Sequence, residues 1–271
     1  MSLGVYNGVN IGTQNGLSAG ADSGVVSGMA AEFFDVQIPT RNLLSYIDMG
    51  NRACYPINST GLLARDLTTS TAGLTLVAPF TLDYSNKGCL RFPGTVNQRL
   101  STAFTTAIVG GANSNITFGG WFQVAKIDGT KEGTLLSRGR DGSGSGWSLI
   151  IGTDLNGFFR IGSVTLSPTG VGNVFTTTTQ AVPNKWYHLL GVYQNGVGLS
   201  IYVNGVLIGF QTFTGTNLRT SSIGWCWGSN ATGAANQLEG KIALTYAWER
   251  ILTPTEITQV FLAHKERFLK P

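Results

Sequence analysis

The chain has 271 residues, 42% of them apolar, which is ample for the core of one large β domain or two small ones. Only 12% are charged, and the formal net charge of +4 is thinly spread, with no run of Lys or Arg and no Arg–aromatic stripe, so a nucleic-acid partner is not expected. No stretch reaches membrane-spanning length, and Cys54, Cys89 and Cys226 are odd in number and lack C-x-x-C spacing, which points to buried free thiols rather than a disulfide framework or a zinc site.

From the N-terminus, glycine falls on every fourth position: Gly4, Gly8, Gly12, Gly16, Gly20, Gly24 and Gly28, with mostly small or polar residues between. Such a segment buries too little apolar surface to fold alone, and glycine loses the most backbone freedom on ordering. In an extended chain the even step puts all seven glycines on one face, bare enough to press against another backbone. In a helix it makes a small-residue ridge, at a cost of about 1 kcal/mol per glycine. A flexible leader is the third reading. Residues 1–32 are expected to form an arm that docks on neighbouring subunits, ahead of a body over 33–262 and a tail over 263–271. No Lys or Arg precedes Arg41, so the region carries only Asp22, Glu32 and Asp35. It lacks the basic residues and continuous apolar stretch of a signal peptide, so the chain is expected to be made, and left, in a reducing cytoplasm.

From Phe33 on, short apolar runs alternate with Gly, Asn, Asp and Pro. Strands are predicted at 43–48, 89–92, 116–124, 133–138, 147–151, 158–161, 186–193, 199–203, 206–212, 221–224 and 241–248. Many short strands without interleaved helices mean an all-β sandwich or barrel. Asn204-Gly205 between two apolar runs predicts a type I′ hairpin turn. Asn195-Gly196 is expected to do the same one strand earlier, completing a three-strand meander. One helix follows: Thr253 as N-cap, Pro254 in the first position and Glu256 closing a capping box. Ile257, Val260, Phe261, His264 and Phe268 keep helical spacing. The helix should lie on the sandwich, with His264 at the edge of its face and its end projecting to solvent or a partner.

Several motifs now join into a set. Lys185-Trp186-Tyr187-His188-Leu189 precedes Tyr193-Gln194-Asn195-Gly196 and Leu199-Ser200-Ile201-Tyr202-Val203-Asn204-Gly205. Gly240-Lys241-Ile242 leads through Tyr246, Arg250 and Leu252 to Glu256-Ile257, and Ile116 to Phe122 and Gly133 to Gly139 stand earlier. This set resembles the laminin-G-like, concanavalin A-type jelly roll, from about Leu43 to Phe261. The opening Leu43 to Asn51, with Tyr55-Pro56 and Asp66-Leu67, is similar to a subgroup common among phage and bacterial surface proteins. The resemblance implies an antiparallel β-sandwich jelly roll, here with an extended N-terminal arm and a short C-terminal helix. It also implies calcium in some relatives, but the acidic positions are replaced by the run Phe92 to Gln98 and by Ala243-Leu244. Calcium needs six to eight oxygen ligands, so no metal and no cofactor is expected.

A glycosidase on this fold needs two carboxylates facing one sugar bond, and no two acids stand two residues apart on a strand. Asp48 and Asp66 are the best remaining candidates and read as turn caps. His188, alternating with Trp186 and Leu190, reads as a packed, hydrogen-bonded strand residue. The Gly-rich run from Arg138 to Gly146 joins two strands and lacks the helix N-terminus of a phosphate cradle. No catalytic residue is expected, and the protein is read as a non-enzyme. Trp147, Trp225 and Trp227 could serve as sugar platforms, and core or subunit packing is the competing use of the same rings.

The function expected from these features is a virion structural protein, a capsid decoration or cement protein docking through its arm. Its partners would be a major capsid protein or neighbouring copies in a homo-oligomer such as a trimer. The alternative is a carbohydrate-binding adhesion module with a surface glycan as ligand.

Overall fold

The computed structural model describes residues 38–51, 54, 63–68, 73–77, 81–83, 88–95, 99–102, 114–138, 148–167, 172–218, 225–230 and 236–269. The seven arm glycines, Gly4 to Gly28, and Trp147 lie outside them. The strands in chain order are β1 Leu43–Asp48, β2 Leu63–Arg65, β3 Gly73–Val77, β4 Thr81–Asp83, β5 Cys89–Pro93, β6 Arg99–Thr102, β7 Ile116–Val124, β8 Gly133–Arg138 and β9 Leu149–Thr153. They continue with β10 Phe158–Ser167, β11 Gly172–Gln180, β12 Trp186–Gln194, β13 Gly198–Val203, β14 Val206–Thr212, β15 Thr216–Leu218, β16 Trp225–Trp227 and β17 Glu239–Trp248, and the helix α1 is Pro254–Leu269.

Two antiparallel sheets form a sandwich. One runs β14-β13-β12-β7-β17-β5-β4, with β1 also on β17; the other runs β11-β10-β9-β8-β16-β6-β3-β2, with β15 on β10. Phe118, Phe122, Phe159, Leu149, Ile151, Ile161, Trp225 and Trp227 meet in the layer between them. The outer face of the first sheet is covered by α1, where Trp121, Trp186, Tyr246 and Trp248 pack with Ile257, Val260 and Phe268. The Trp121 ring stacks on Phe268 at 4.5 Å and on Phe261 at 5.8 Å.

The expected meander stands as β12, β13 and β14. Asn204 and Gly205 both have positive φ, 51° and 80°, as a type I′ turn requires. The Asn195-Gly196 link differs. Only Gly196 takes a positive φ, 68°, and Val197 N–H donates to the Gln194 carbonyl across a wider turn. Asn195 keeps a negative φ while its side chain accepts from Tyr193 and its N–H donates to the Asn115 side chain.

The capping box forms as expected: Thr253 N–H donates to Glu256, and Glu256 N–H donates to Thr253 Oγ1 at 3.2 Å. The end of the helix does not project. Phe268 is buried and Arg267 turns back to grip Asp48, with Nη1 at 2.8 and 2.7 Å from its two oxygens, so the last turn is clamped onto the sheet. The helix is not long and apolar enough to cross a membrane. The three cysteines are buried and form no disulfide, and burial pushes the Cys89 thiol up to about 12.

Candidate functional site

Turns at one end of the sandwich enclose a cleft of about 530 Å³, lined by Asn173, Gly196, Val197, Thr212, Phe213, Thr214 and Gly215. Its walls are the β12–β13 turn, the β14–β15 link and the start of β11. Two main-chain bonds tie turn to link: Phe213 N–H to the Val197 carbonyl at 3.0 Å, and Gly196 N–H to the Gly215 carbonyl at 3.2 Å. Backbone geometry therefore sets the width of the opening. The half-buried Phe213 ring leans on Tyr193, centroids 5.8 Å apart. Thr165 lies beneath Gly215, since a Cβ there would sit 2.6 Å from Thr165 Oγ1. The lining carries no charge: amide, hydroxyl and peptide groups stand around one aromatic ring and the Val197 side chain.

A cross-strand row of mixed polar and apolar residues runs from Asn173 at this cleft across the second sheet. Directly paired residues share a face of a sheet, and pairing places Trp225 opposite Arg138, Arg138 opposite Leu149, Leu149 opposite Ser163 and Ser163 opposite Asn173. Trp225 and Leu149 belong to the inter-sheet core, so the whole row faces inward. Arg138 is 2% exposed, and burial pulls its guanidinium down to about 10, against the pull of Glu249 and Tyr193 in the other direction. It remains charged at neutral pH. Glu249 itself accepts from Ser114 at 2.7 Å.

A second polar cluster lies under α1. Tyr46 and Tyr246 stack at 5.5 Å, and their hydroxyls meet His264 Nε2 and Nδ1 at 3.2 and 2.9 Å. His264 is therefore buried at the centre of the helix contact, not at its edge, and burial lowers it to about 4. His188 packs between Trp121 and Phe261 as a strand residue, but its ring is not hydrogen-bonded: both nitrogens are buried without a partner, and burial lowers it to about 3. Neither histidine can reach a solvent-borne substrate.

The carboxylates are engaged elsewhere. Asp48 caps Gly50 N–H at 2.8 Å and holds Arg267. Asp66 accepts from Tyr46 and Thr68 N–H and from Ser45 Oγ, the turn-capping role expected of it, while burial raises its pKa. Glu132 pairs with Arg160, Asp83 with Lys241, Glu239 with Lys131 and Glu256 with Arg250. Among the described residues no three His, Cys, Asp or Glu gather as metal ligands.

Trp225 and Trp227 are 2% and 0% exposed, and Trp225 leans on Phe118 at 5.5 Å. As sugar platforms they are corrected to core residues. Both point inward from the short central strand β16, so neither ring offers a face to solvent. The cleft residues escaped sequence reasoning because turns supply them. One signal was available: the polar Ser163 and Thr165 occupy inward positions of a strand whose other inward residues, Phe159 and Ile161, are apolar.

Residues 94–258, more than half of the chain, match the family model described as the concanavalin A-like lectin/glucanases superfamily. Solved structures similar to this one include the botulinum neurotoxin serotype G binding domain, with a TM-score of 0.62 and 13% identity over 82% of this chain and 51% of that one. A Trypanosoma rangeli sialidase has a TM-score of 0.61 and 19% identity over 86% of this chain and 34% of its own. The binding domain of Paraclostridial Mosquitocidal Protein 1 scores 0.60 at 14% identity, over 81% and 52%. The chain thus spans about half the length of the toxin domains and a third of the sialidase, and these likenesses speak for the fold alone. No curated protein sequence matches the chain.

Proposed function

The chain belongs to the concanavalin A-like lectin/glucanase superfamily, and from that premise we propose that it is a non-catalytic binding module that takes a glycan in the strand-end cleft. The observation that carries this reading is the cleft itself. Its volume, about 530 Å³, falls within the range of small-ligand sites. An aromatic ring beside fixed amide, hydroxyl and peptide groups suits the alternating apolar and hydroxyl faces of a sugar. Similar structures include domains described as binding domains and a sialidase solved with sialic acid, which favours a ligand of this kind. The engaged carboxylates support binding without hydrolysis, because a glycosidase must present two of them to one bond. Replacing Phe213 with alanine is expected to weaken oligosaccharide binding about tenfold or more by removing the stacking surface, read by calorimetric titration across a panel of oligosaccharides. Unchanged affinity would move the site elsewhere.

A second reading rests on the glycine period of Gly4 to Gly28: a virion decoration protein held by residues 1–32 on a capsid protein or on neighbouring copies. It combines with the first, since an arm can anchor a module whose cleft faces outward. Deleting residues 1–32 is expected to abolish incorporation into particles while leaving the sandwich folded. Full incorporation of the truncated chain would remove this reading.

A further inference from the structure

We propose that the open edge of the first sheet, strand β14, pairs antiparallel with β14 of a second copy of this chain, joining two sandwiches through one continuous sheet. This interface is separate from the glycan site read in the cleft. Among the described residues β14 ends its sheet, paired with β13 alone. An edge strand turns a row of main-chain N–H and C=O groups outward, and natural proteins blunt such rows with charge, proline or a very short strand. β14 has seven residues, Val-Leu-Ile-Gly-Phe-Gln-Thr, and neither a charge nor a proline. Its one irregularity lies opposite Ile201 and Tyr202, toward the hairpin, and leaves Gly209 to Thr212 in regular register.

The side chains agree with the backbone. Leu207 and Phe210 stand opposite Tyr202 and Ser200, on the face of the sheet that carries α1, and both are about half exposed. Edge strand β11 of the second sheet lies on the same side, since a Cβ at Gly209 would meet the Phe175 ring at 2.5 Å, and it shows an exposed Val174. Charge decides what sits there. No Asp, Glu, Lys or Arg stands between Arg160 and Lys185, or between Lys185 and Arg219, the stretch that supplies β11 to β15, although charged residues make up 12% of the chain. Interface cores are depleted of charge in this way, and an ionic partner finds nothing to pair with. A second copy brings the same uncharged edge, and antiparallel pairing about a two-fold axis satisfies both rows at once. Each copy carries a net +4, so two copies repel through their charged faces and meet without that cost here. On the glycan reading the pair holds a cleft at each end, because Thr212 both ends β14 and lines the cleft.

The test is sedimentation of the full chain across a wide dilution series, with hydrogen exchange read at the same concentrations. A dimer that dissociates on dilution is expected, with the amides of β14 losing protection as it does. Phe210→Lys, which sets like charges across the two-fold, should raise the dimer Kd about tenfold or more. Leu269→Lys, at an exposed apolar residue in the clamped last turn of α1, should leave it unchanged. Leu207→Lys repeats the test should Phe210→Lys fail to fold. A monomer at every concentration would overturn the proposal, and so would a dimer whose β14 amides exchange as in the monomer, or one that neither lysine variant weakens. Protection of β14 that survives dilution in a monomer would assign the edge to a segment of the same chain and overturn the second copy as its occupant. None of these results bears on sugar binding, so the cleft reading stands or falls by its own titration.

Discussion

Replacing Gly120 with alanine is expected to destabilise the fold by more than about 4 kcal/mol, a size reserved for a backbone clash or a broken core. Strand β7 lies inside its sheet, between β12 and β17, and cannot shift toward an open edge. A Cβ at Gly120 would stand 2.0 Å from the Leu244 carbonyl oxygen, next to the irregularity in β17 between Ile242 and Leu244. The atom in the way is backbone, so no side-chain rotation relieves it. At the preceding Gly119, with φ +149°, a Cβ would stand 2.0 Å from the Leu189 carbonyl oxygen on the other side. The two glycines thus let three central strands close up, and alanine at either should force β7 away from a neighbour. Urea unfolding of each variant against the wild-type chain gives the number. A loss below about 1 kcal/mol would mean that β7 does not hold this register.

Stability is expected to fall as the pH drops from about 6.5 toward 4, before ordinary carboxylates have finished titrating. Burial holds His264 at about 4 and His188 at about 3, against 6.5 in the unfolded chain. Between those values the unfolded chain takes up protons that the folded chain refuses. The stability present above pH 6.5 is therefore lost on the way down, at about 1.4 kcal/mol per pH unit for each histidine. The surroundings set the balance. Tyr46 and Tyr246 bond the His264 ring, Asp48 favours its charged form, and Arg267 opposes it. Glu256, held at about 2 mainly by its bonds from Arg250, adds a loss of the same sign below its ordinary value of 4.5. Asp66, raised by burial, works the other way. Urea midpoints at pH 7, 5.5 and 4.5 should decline steadily, and His264→Gln should flatten part of the slope. A midpoint constant over that range would contradict the buried, neutral state of the pair.

Where local chemistry dictates structure, the sequence was readable. Asn204-Gly205 can make its turn whatever surrounds it, and the Thr253–Glu256 box starts a helix from four residues, so the hairpin and α1 fall where expected. Strand β11 was not predicted. Its Thr-rich run Thr176 to Gln180 lacks apolar alternation, and it is a strand because β10 pairs with it at the sheet edge. The inward fate of His264 and the clamp of Arg267 on Asp48 join residues more than two hundred positions apart, a fact no window along the chain contains. The cleft is harder still. Val197 comes from one turn, Phe213 and Gly215 from one link and Asn173 from the start of edge strand β11, and none of these segments alone reads as more than an ordinary turn or strand end. Trp225 and Trp227 showed the reverse error: prominent rings in the sequence, but owned by the core.

The most direct test of the account is an amide and methyl chemical-shift map of the full chain titrated with the oligosaccharide panel. Shifts are expected to gather at Gly196, Val197, Thr212 to Gly215 and Asn173, with Phe213 ring resonances moving in step. Shifts confined to another face, or none at saturating sugar, would contradict a glycan site at this end of the sandwich.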